Sequence, residues 1–357
     1  MIAKVGWSIS LAFGLMGLQG LAWTDLNGGD HGGSNWTIAG GTYIASNHFN
    51  IGNVSIVSGA VVRVKGWDGA QYGGVDIIAQ TINIYGTLDA SGGGYGGGNG
   101  GVGGNGTAIA GTPGGPGVRG VAGSGSFGGA GGGGGAGGYE SANPNVTRQG
   151  GQGERGYMGG YFVSGGQGDT STDEIVAMGS GGGGGGGGGA GWNLEGTSSG
   201  GSGGGGGNPG GGRIRLIAAN SVIIHGVVLA KGYLGTRGNG VVGQTQMSPG
   251  YGGTGGNASV AGSSLGATGV GSVLGHCYSS GTGGNGGGGA GGGVLIKANT
   301  VDLLGSTVDN RGGGNSVTNG GSLKVLYIDY QGEGLTNSGR VYLKQMMPPE
   351  MGTIFEF

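Results

Sequence analysis

The sequence has little of several residue types on which familiar protein classes depend. Its 357 residues include one cysteine and 7 prolines, and only 9% of the residues are charged. The lone Cys277 excludes an internal disulfide framework. Lys and Arg together number 15 and Asp and Glu 17, so the formal net charge is −2. This balance excludes the basic stripe that a nucleic-acid-binding protein needs, and we predict no nucleic-acid partner.

Glycine is by far the most frequent residue, with 111 of the 357 positions. Collagen combines a similar glycine content with far more proline, so the 7 prolines exclude a collagen triple helix. A mainly helical domain is also excluded, because each helical glycine costs about 1 kcal/mol relative to alanine. Two alternatives remain: a flexible low-complexity chain, or an ordered structure built from glycine.

The first 22 residues have the parts of an export signal. Lys4 supplies a positive charge, residues 5–22 are uncharged and mostly apolar, and Gly20 and Ala22 form a small-residue cleavage pattern. The apolar stretch is also near the minimum for a membrane span. We therefore expect residues 1–22 to be either a cleaved signal peptide or a retained apolar helix. Both alternatives place the protein outside the cell or on its surface, with membrane contact only if the segment is retained.

An internal repeat predicts a β-solenoid. Residues 79–86, 219–226 and 298–305 share the order Ala, amide, hydroxyl, β-branched, any residue, aliphatic, any residue, Gly. Each copy is preceded, two residues before its Ala, by an isoleucine: Ile77, Ile217 or Ile296. Alternation along a strand points residues 77 and 79 inward, and residues 82 and 84 inward as well. The odd step between them predicts a corner at the amide–hydroxyl pair.

Weaker copies flank this repeat. Val57, Val62 and Val64 resemble the aliphatic positions before it, and a looser copy follows it at Leu323, Leu326, Ile328 and Tyr330. These copies predict about five rungs, a stack roughly 20–25 Å tall.

Between the repeats lie glycine-rich tracts that leave and re-enter the predicted stack at one corner. Glycine recurs there at every third residue, as at positions 111–123 and 150–159, which is the period of a polyproline II helix. Such helices can hydrogen-bond sideways when glycine allows their backbones to approach. The predicted fold is all-β with polyproline II: a short β-solenoid-like stack, glycine-rich insertions forming a bundle of polyproline II helices, and the N-terminal apolar helix. The predicted segments are 1–22, β rungs 23–91, glycine insertion 92–212, rung 213–231, insertion 232–293, rungs 294–345 and a tail at 346–357.

The glycine tracts resemble those of known families. Gly128-Gly129-Ala130-Gly131-Gly132 and residues 286–291 look like the polyproline II sandwich of glycine-rich tail-fibre adhesins of T-even-type phages, although the fibre-attachment domain of that family is missing. The tracts also resemble glycine-rich repeat proteins of mycobacteria, without their helical N-terminal domain. Residues 82–92 are similar to the strand repeats of secreted bacterial glycine-rich proteins. These resemblances imply an exported surface or matrix protein and no particular chemistry.

Few residues suggest a reactive site. His225 occupies the repeat slot of Tyr85 and Leu304, which predicts a structural role, and neighbouring residues such as His276 and Cys277 point apart on a strand. No catalytic residues and no cofactor are predicted. Two oxygen-rich clusters are weak calcium candidates beside the default of solvated turns: Asp169, Asp173 and Glu174, and Asp25, Asn27 and Asp30.

Aromatic side chains in the glycine tracts either cover the predicted bundle or form a contact surface. The contact candidates are Tyr139, Tyr157, Tyr161, Phe162, Trp192, Tyr233, Tyr251 and Tyr278. A second candidate set, for assembly, is Ile354, Phe355 and Phe357 in the tail.

The leading hypothesis for function is an exported, non-enzymatic structural protein that polymerises into an extracellular or surface filament, because an uncapped solenoid invites pairing at its ends. The alternative is an adhesin, of the phage tail-fibre or cell-surface type, that binds a receptor or a glycan. Ice binding ranks below both, because regular Thr-x-Thr arrays are missing.

Overall fold

The computed structural model describes residues 24–99, 174–183, 207–234, 287–313, 320–332 and 340–347. Within these ranges the chain forms no α-helix, and no helix there is long and apolar enough to cross a membrane. The described chain is all-β, as predicted. The predicted apolar helix at residues 1–22 lies outside the described residues.

The strands form one curled, solenoid-like sheet in which the pairings between strands are parallel. Fourteen strands are present in the described ranges. They are β1 (Thr24–Asp30), β2 (Trp36–Ile38), β3 (Thr42–Ile56), β4 (Val61–Val64), β5 (Gly74–Ile84), β6 (Thr87–Asp89), β7 (Arg213–Ile224), β8 (Val227–Leu229), β9 (Val294–Lys297), β10 (Thr300–Asp302), β11 (Thr307–Asp309), β12 (Ser322–Tyr327), β13 (Asp329–Gln331) and β14 (Arg340–Gln345).

Each turn of the chain contributes to three ladders in succession. The first ladder contains the start of β3 and then β4, β6, β8 and β11. The second contains the end of β1, the middle of β3, the first halves of β5 and β7, and then β9, β12 and β14. The third contains β2, the ends of β3, β5 and β7, and then β10 and β13. We call the whole the β stack.

The core of the β stack is made of columns of like side chains, one from each turn. In the third ladder Val54, Ile82 and Val222 pair successively and are fully buried. The first ladder repeats this arrangement with Val62, Leu88, Val228 and Val308. Fully burying a side chain of this kind is worth about 1.5–3 kcal/mol, so these columns hold the turns together.

The inward phase changes between Ala79 and Ile82, as the repeat predicted. Ala79 and Ile82 are both buried, Gln80 between them is exposed, and the pairing of β5 with β7 shifts register there.

The predicted alignment of Ile217 with Ile77 and Ile296 is wrong by one residue. Leu216 pairs with both of these isoleucines, and β7 holds one extra residue at the corner. Ile217 instead packs on the outer side of the sheet in a second apolar cluster with Val176 and Leu295.

The flanking rungs also differ from the prediction. The residues of β3 that pair with the repeat are Ile51, Val54 and Ile56, whereas Val57 is 41% exposed. At the other end Leu323 lies in the main core, Leu326 in the second cluster, and Ile328 and Tyr330 at their margins. One column of the second ladder runs through seven strands, from Gly29 to Leu343. The stack is therefore roughly 29 Å tall rather than 20–25 Å.

The repeat glycines permit close contact between successive turns. A Cβ on Gly86 would lie 2.4 Å from the carbonyl oxygen of Val57, and one on Gly226 would lie 2.1 Å from that of Gly86. At the equivalent corner Gly305 has φ +69°, which favours glycine for a different reason.

Glycine segments join the first ladder to the second at one corner. Strands β6, β8 and β11, after which these segments begin, are neighbours, and so are β7, β9 and β12, to which the chain returns. We call the described segments the glycine bundle: residues 92–98, 179–183, 207–212, 230–234, 287–293 and 310–313.

The segments of the glycine bundle hydrogen-bond to one another through their backbones. Between facing segments the bonds recur at every third residue, whereas a parallel β ladder repeats at every second. The N–H groups of Tyr95 and Gly98 donate to the carbonyls of Gly179 and Gly182, respectively. In the same way, Gly287, Ala290 and Gly293 donate to Gly183, Ser180 and Ala177, and Asn208 and Gly211 donate to Gly287 and Ala290. The donor–acceptor distances are 2.7–3.1 Å.

Contacts within the glycine bundle leave no room for side chains at many positions. A Cβ on Gly291 would lie 1.8 Å from the carbonyl oxygen of Asn310, and one on Gly211 would lie 1.9 Å from that of Ala230. Glycine is therefore a steric requirement in this part of the molecule.

Candidate interaction surfaces at the two ends of the sheet

The last strand of the second ladder exposes part of the apolar column to which it belongs. In β14, Val341 pairs with Leu323 and Leu343 with Val325, and both partners are fully buried. Val341 and Leu343 continue the same inward face but are 43% and 47% exposed. We call β14 with these two side chains the C-terminal edge.

Among the described strands, β14 is the last one of the second ladder. Strand β14 pairs with β12, and no other strand of the described chain pairs with it. Just after the strand, Met347 is 72% exposed. An unpaired edge beside exposed apolar side chains is a template for a further strand.

The opposite end of the second ladder is formed by β1, which we call the N-terminal edge. Its sequence carries two acidic residues, Asp25 and Asp30, and no basic one, whereas β14 carries Arg340 and Lys344 and no acidic one. Both acidic side chains are on exposed residues. Hydrogen bonds from the Gly32 N–H and the Asn50 side chain lower the pKa of Asp30, so that it is ionised at neutral pH.

Beneath the N-terminal edge, three rings close the apolar core; we call them the N-terminal cap. The Trp36 ring stacks on His48 with centroids 4.5 Å apart, and its centroid lies 4.6 Å from that of His31. The two imidazoles are hydrogen-bonded, with His31 Nε2 3.1 Å from His48 Nδ1. His48 pairs with Ile77, so an imidazole occupies a position that is aliphatic in the following turns.

The environment of His48 disfavours its charged form. The residue is 1% exposed and its Nε2 has no hydrogen-bond partner. Burial, followed by the charge of nearby His31, lowers the pKa of His48 from 6.5 to about 4.

The other end of the core is closed by two tyrosines. The rings of Tyr327 and Tyr330 lie 5.0 Å apart and pack against the main apolar cluster. Burial raises the pKa of Tyr330, and Tyr327 adds to the shift. Because β14 extends one turn beyond this pair, its apolar side chains remain exposed.

Of the predicted aromatic contact residues, the structure describes Tyr233. Its ring lies against Gly92, where a Cβ would be 2.3 Å from the ring, and the residue is 47% exposed. Tyr95 contacts Trp67 edge-on at 5.6 Å. The remaining contact candidates lie outside the described residues: Tyr139, Tyr157, Tyr161, Phe162, Trp192, Tyr251 and Tyr278. The assembly candidates Ile354, Phe355 and Phe357 lie outside them as well.

The calcium candidates have protein partners where they are described. Lys65 Nζ lies 3.0 Å from both Asp25 Oδ2 and Asn27 Oδ1, so an ammonium group bridges these two oxygens. Glu174 pairs with the largely buried Lys297. Asp169 and Asp173 are outside the described residues, and within the described ranges no group of three His, Cys, Asp or Glu side chains is arranged to hold a metal ion.

His225 has a partner in the next turn of the third ladder. Its Nε2 lies 3.0 Å from Asp302 Oδ2, and its ring meets Tyr85 edge-on with centroids 6.0 Å apart. These contacts link three successive turns at one corner. His276 and Cys277 lie outside the described residues.

Sequence reasoning missed both the N-terminal cap and the C-terminal edge. A signal for the edge exists, since Val341 and Leu343 alternate with polar residues as in a half-buried strand. The cap gave no comparable signal, because His31, Trp36 and His48 meet only through strand pairing.

Comparisons with known protein families, with curated proteins and with solved structures find no match to this chain.

Proposed function

We propose that this protein is an exported, non-enzymatic structural protein that self-associates into an extracellular or surface filament. The observation that carries the proposal is the C-terminal edge, where Val341 and Leu343 continue a buried column yet are nearly half exposed. A further strand on this edge would bury both side chains.

The proposed role of the rest of the molecule is to make each subunit rigid. We propose that the segments of the glycine bundle are polyproline II helices, whose three-residue turn accounts for hydrogen bonds at every third residue. Hydrogen exchange tests this assignment. The amides of Gly179, Gly211 and Ala290 should exchange as slowly as those of β5, and exchange at the rate of a free peptide would contradict it.

The test of self-association compares two leucines that are equally exposed. Leu343 on the C-terminal edge and Leu304 at a corner of the β stack are each 47% exposed. Leu343→Lys places a charge where the next strand would dock, whereas Leu304→Lys changes the surface elsewhere. Because Leu343 is already about half buried, burying the rest is worth roughly half of the 1.5–3 kcal/mol of a whole leucine, and Leu343→Lys should raise the critical concentration for assembly by about three- to tenfold.

Assembly is measured by light scattering and negative-stain microscopy. The wild-type protein and Leu304→Lys should form filaments at the same concentration, at which Leu343→Lys stays monomeric. A wild-type protein that remains monomeric at high concentration would contradict the proposed function. Equal effects of the two substitutions would show that the C-terminal edge is not the contact.

A receptor- or glycan-binding adhesin is the second proposal, and Tyr233 favours it. Its backbone N–H and carbonyl are both hydrogen-bonded within the glycine bundle, so the bundle presents a half-exposed aromatic ring on a fixed backbone. Tyr233→Ala should abolish binding to whole cells while assembly is retained. Unchanged cell binding would remove the support that this residue provides.

A further inference from the structure

We propose that His31 and His48 of the N-terminal cap together bind one monovalent copper or silver ion in a linear, two-coordinate site. This inference goes beyond the proposed structural role and does not depend on it. It is carried by the facing geometry of the two imidazoles, by the burial of the pair, and by the backbone conformation on both sides of His48.

The two imidazoles face each other through single nitrogen atoms. His31 Nε2 lies 3.1 Å from His48 Nδ1, and the ring centroids are 5.4 Å apart. This centroid separation is close to the longest that the nitrogen–nitrogen distance allows, so both nitrogens lie nearly on the line that joins the rings. Two imidazoles arranged in this way are the donor set of a linear complex, in which the ion takes the place of the shared proton.

The turn that carries His31 has room for the ion. Metal–nitrogen bonds of about 2 Å require the two nitrogens to be about 4 Å apart, so the His31 ring has to withdraw by about 1 Å. His31 is partly exposed, and Cβ atoms added to the next two residues, Gly32 and Gly33, would meet no atom closer than 4.0 Å. The pair can therefore open on the side of His31 while His48 keeps its place in β3.

The surroundings of the pair favour an ion that needs few ligands. His48 is 1% exposed, so little water reaches its ring, and the described chain holds no group of three His, Cys, Asp or Glu side chains arranged around a metal ion. Zn²⁺ takes four ligands in proteins, whereas monovalent copper and silver accept two nitrogen ligands in a line. The centroid of the Trp36 ring lies 4.5 Å from that of His48 and 4.6 Å from that of His31. The face of an indole stabilises a nearby cation.

The backbone around His48 is strained in a way that packing does not explain. Three non-glycine residues of the described chain have positive φ, and two of them, Ser46 (φ 65°) and Asn50 (φ 53°), lie two residues before and after His48. The pairing of β3 with β5 shifts register just after this histidine. The next two turns have Ile77 and Leu216 at the same position. Backbone strain of this kind is kept where a site requires one side chain in a fixed place.

Titration with Ag⁺ tests the site, because this ion is stable in air. A thiol is a stronger soft ligand than an imidazole, so all the proteins compared carry Cys277→Ser. Isothermal titration calorimetry should find a high-affinity Ag⁺ site, and His31→Ala should weaken it about a hundredfold or more. The matched control is His225→Ala, which should leave the affinity unchanged, since His225 is also partly exposed and hydrogen-bonded to a side chain, that of Asp302.

A second variant separates the loss of a ligand from the loss of the fold. Leucine fits the apolar column at this position, as Leu216 does, so His48→Leu should be at least as resistant to urea as its parent and should lose the Ag⁺ site. Absence of a high-affinity site in the parent protein would overturn the proposal. Binding that survives in His31→Ala and His48→Leu, or an equal loss in His225→Ala, would overturn it as well. Displacement of Ag⁺ by an equal concentration of Zn²⁺ would overturn the linear, monovalent assignment.

Discussion

The β stack and the glycine bundle share one chain but are stabilised in opposite ways. In the β stack, columns such as Val54, Ile82 and Val222 bury side chains with no exposure to solvent. In the glycine bundle the buried contacts are between backbones, and a Cβ on Gly291 would overlap a carbonyl oxygen. The first region depends on having side chains and the second on lacking them, so the two should respond differently to the same chemical change.

The largest expected effect follows from adding one carbon atom to the glycine bundle. Gly291→Ala places a Cβ 1.8 Å from the Asn310 carbonyl oxygen, and the neighbouring contact is also backbone, which cannot rotate away. Overpacking commonly costs 1–3 kcal/mol and sometimes more, so we expect a loss of about 3 kcal/mol in the free energy of unfolding. Urea denaturation measures it.

The control for Gly291→Ala is the same substitution at Gly96, where an added Cβ meets no atom within 4 Å. There the smaller entropy of the unfolded chain should leave stability unchanged or raise it by about 0.4–1 kcal/mol. Equal losses at both positions would mean that steric exclusion is not what selects glycine in the bundle.

Lowering the pH should destabilise the β stack but not the glycine bundle, and the loss should be slightly smaller than that expected for Gly291→Ala. The pKa of His48 in the folded protein is about 4, below its ordinary value of 6.5, so the unfolded chain takes up the proton first as the pH falls. Stability from the neutral imidazole is complete above pH 6.5 and is lost between pH 6.5 and about 4. The loss is at most about 3 kcal/mol. His31 of the same cap contacts the His48 ring, and the neighbouring carboxylate Asp30 has its pKa lowered by hydrogen bonds from Gly32 and Asn50.

Hydrogen exchange at pH 7 and pH 4.5 locates this acid effect. Amides of β1 and β3 should lose protection at the lower pH before those of Gly179 and Gly211, because the hydrogen bonds of the bundle involve no titratable side chain there. His48→Phe, which keeps an aromatic ring against Trp36, should flatten the pH dependence of stability. A pH profile that His48→Phe leaves unchanged would assign the acid sensitivity to other groups.

What the sequence predicted follows the same division between the two regions. The repeat at residues 79–86 could be recognised in the sequence because β-branched side chains alternate with polar ones. This alternation identified the parallel, solenoid-like stack. The misplacement of Ile217 came from one extra residue at the corner of β7, which an ungapped comparison cannot detect. The flanking copy before the repeat was placed at Val57 rather than within β3, because polar residues such as Asn47 and Asn53 interrupt the apolar pattern of that strand.

The surfaces at the ends were less predictable than the core. Whether Val341 and Leu343 are buried depends on which strands pair beyond β12, and the sequence of β14 alone does not contain that information. The N-terminal cap likewise requires residues 31, 36 and 48 to meet across two strand pairings. Long-range pairing, rather than local propensity, therefore decides where this molecule is open.

The smallest expected effect on stability is that of removing one carbon atom from the β stack. Ile82→Val deletes a methyl group from a column in which both neighbours, Val54 and Val222, are already valine. Ile→Val substitutions in cores cost about 0.5–1.5 kcal/mol, so this loss should be well below that of Gly291→Ala. Urea denaturation of both variants in one series gives the comparison. An equal loss in the free energy of unfolding for Ile82→Val and Gly291→Ala would contradict the comparison. It would show that the glycine bundle tolerates an added carbon atom as well as the β stack tolerates a missing one.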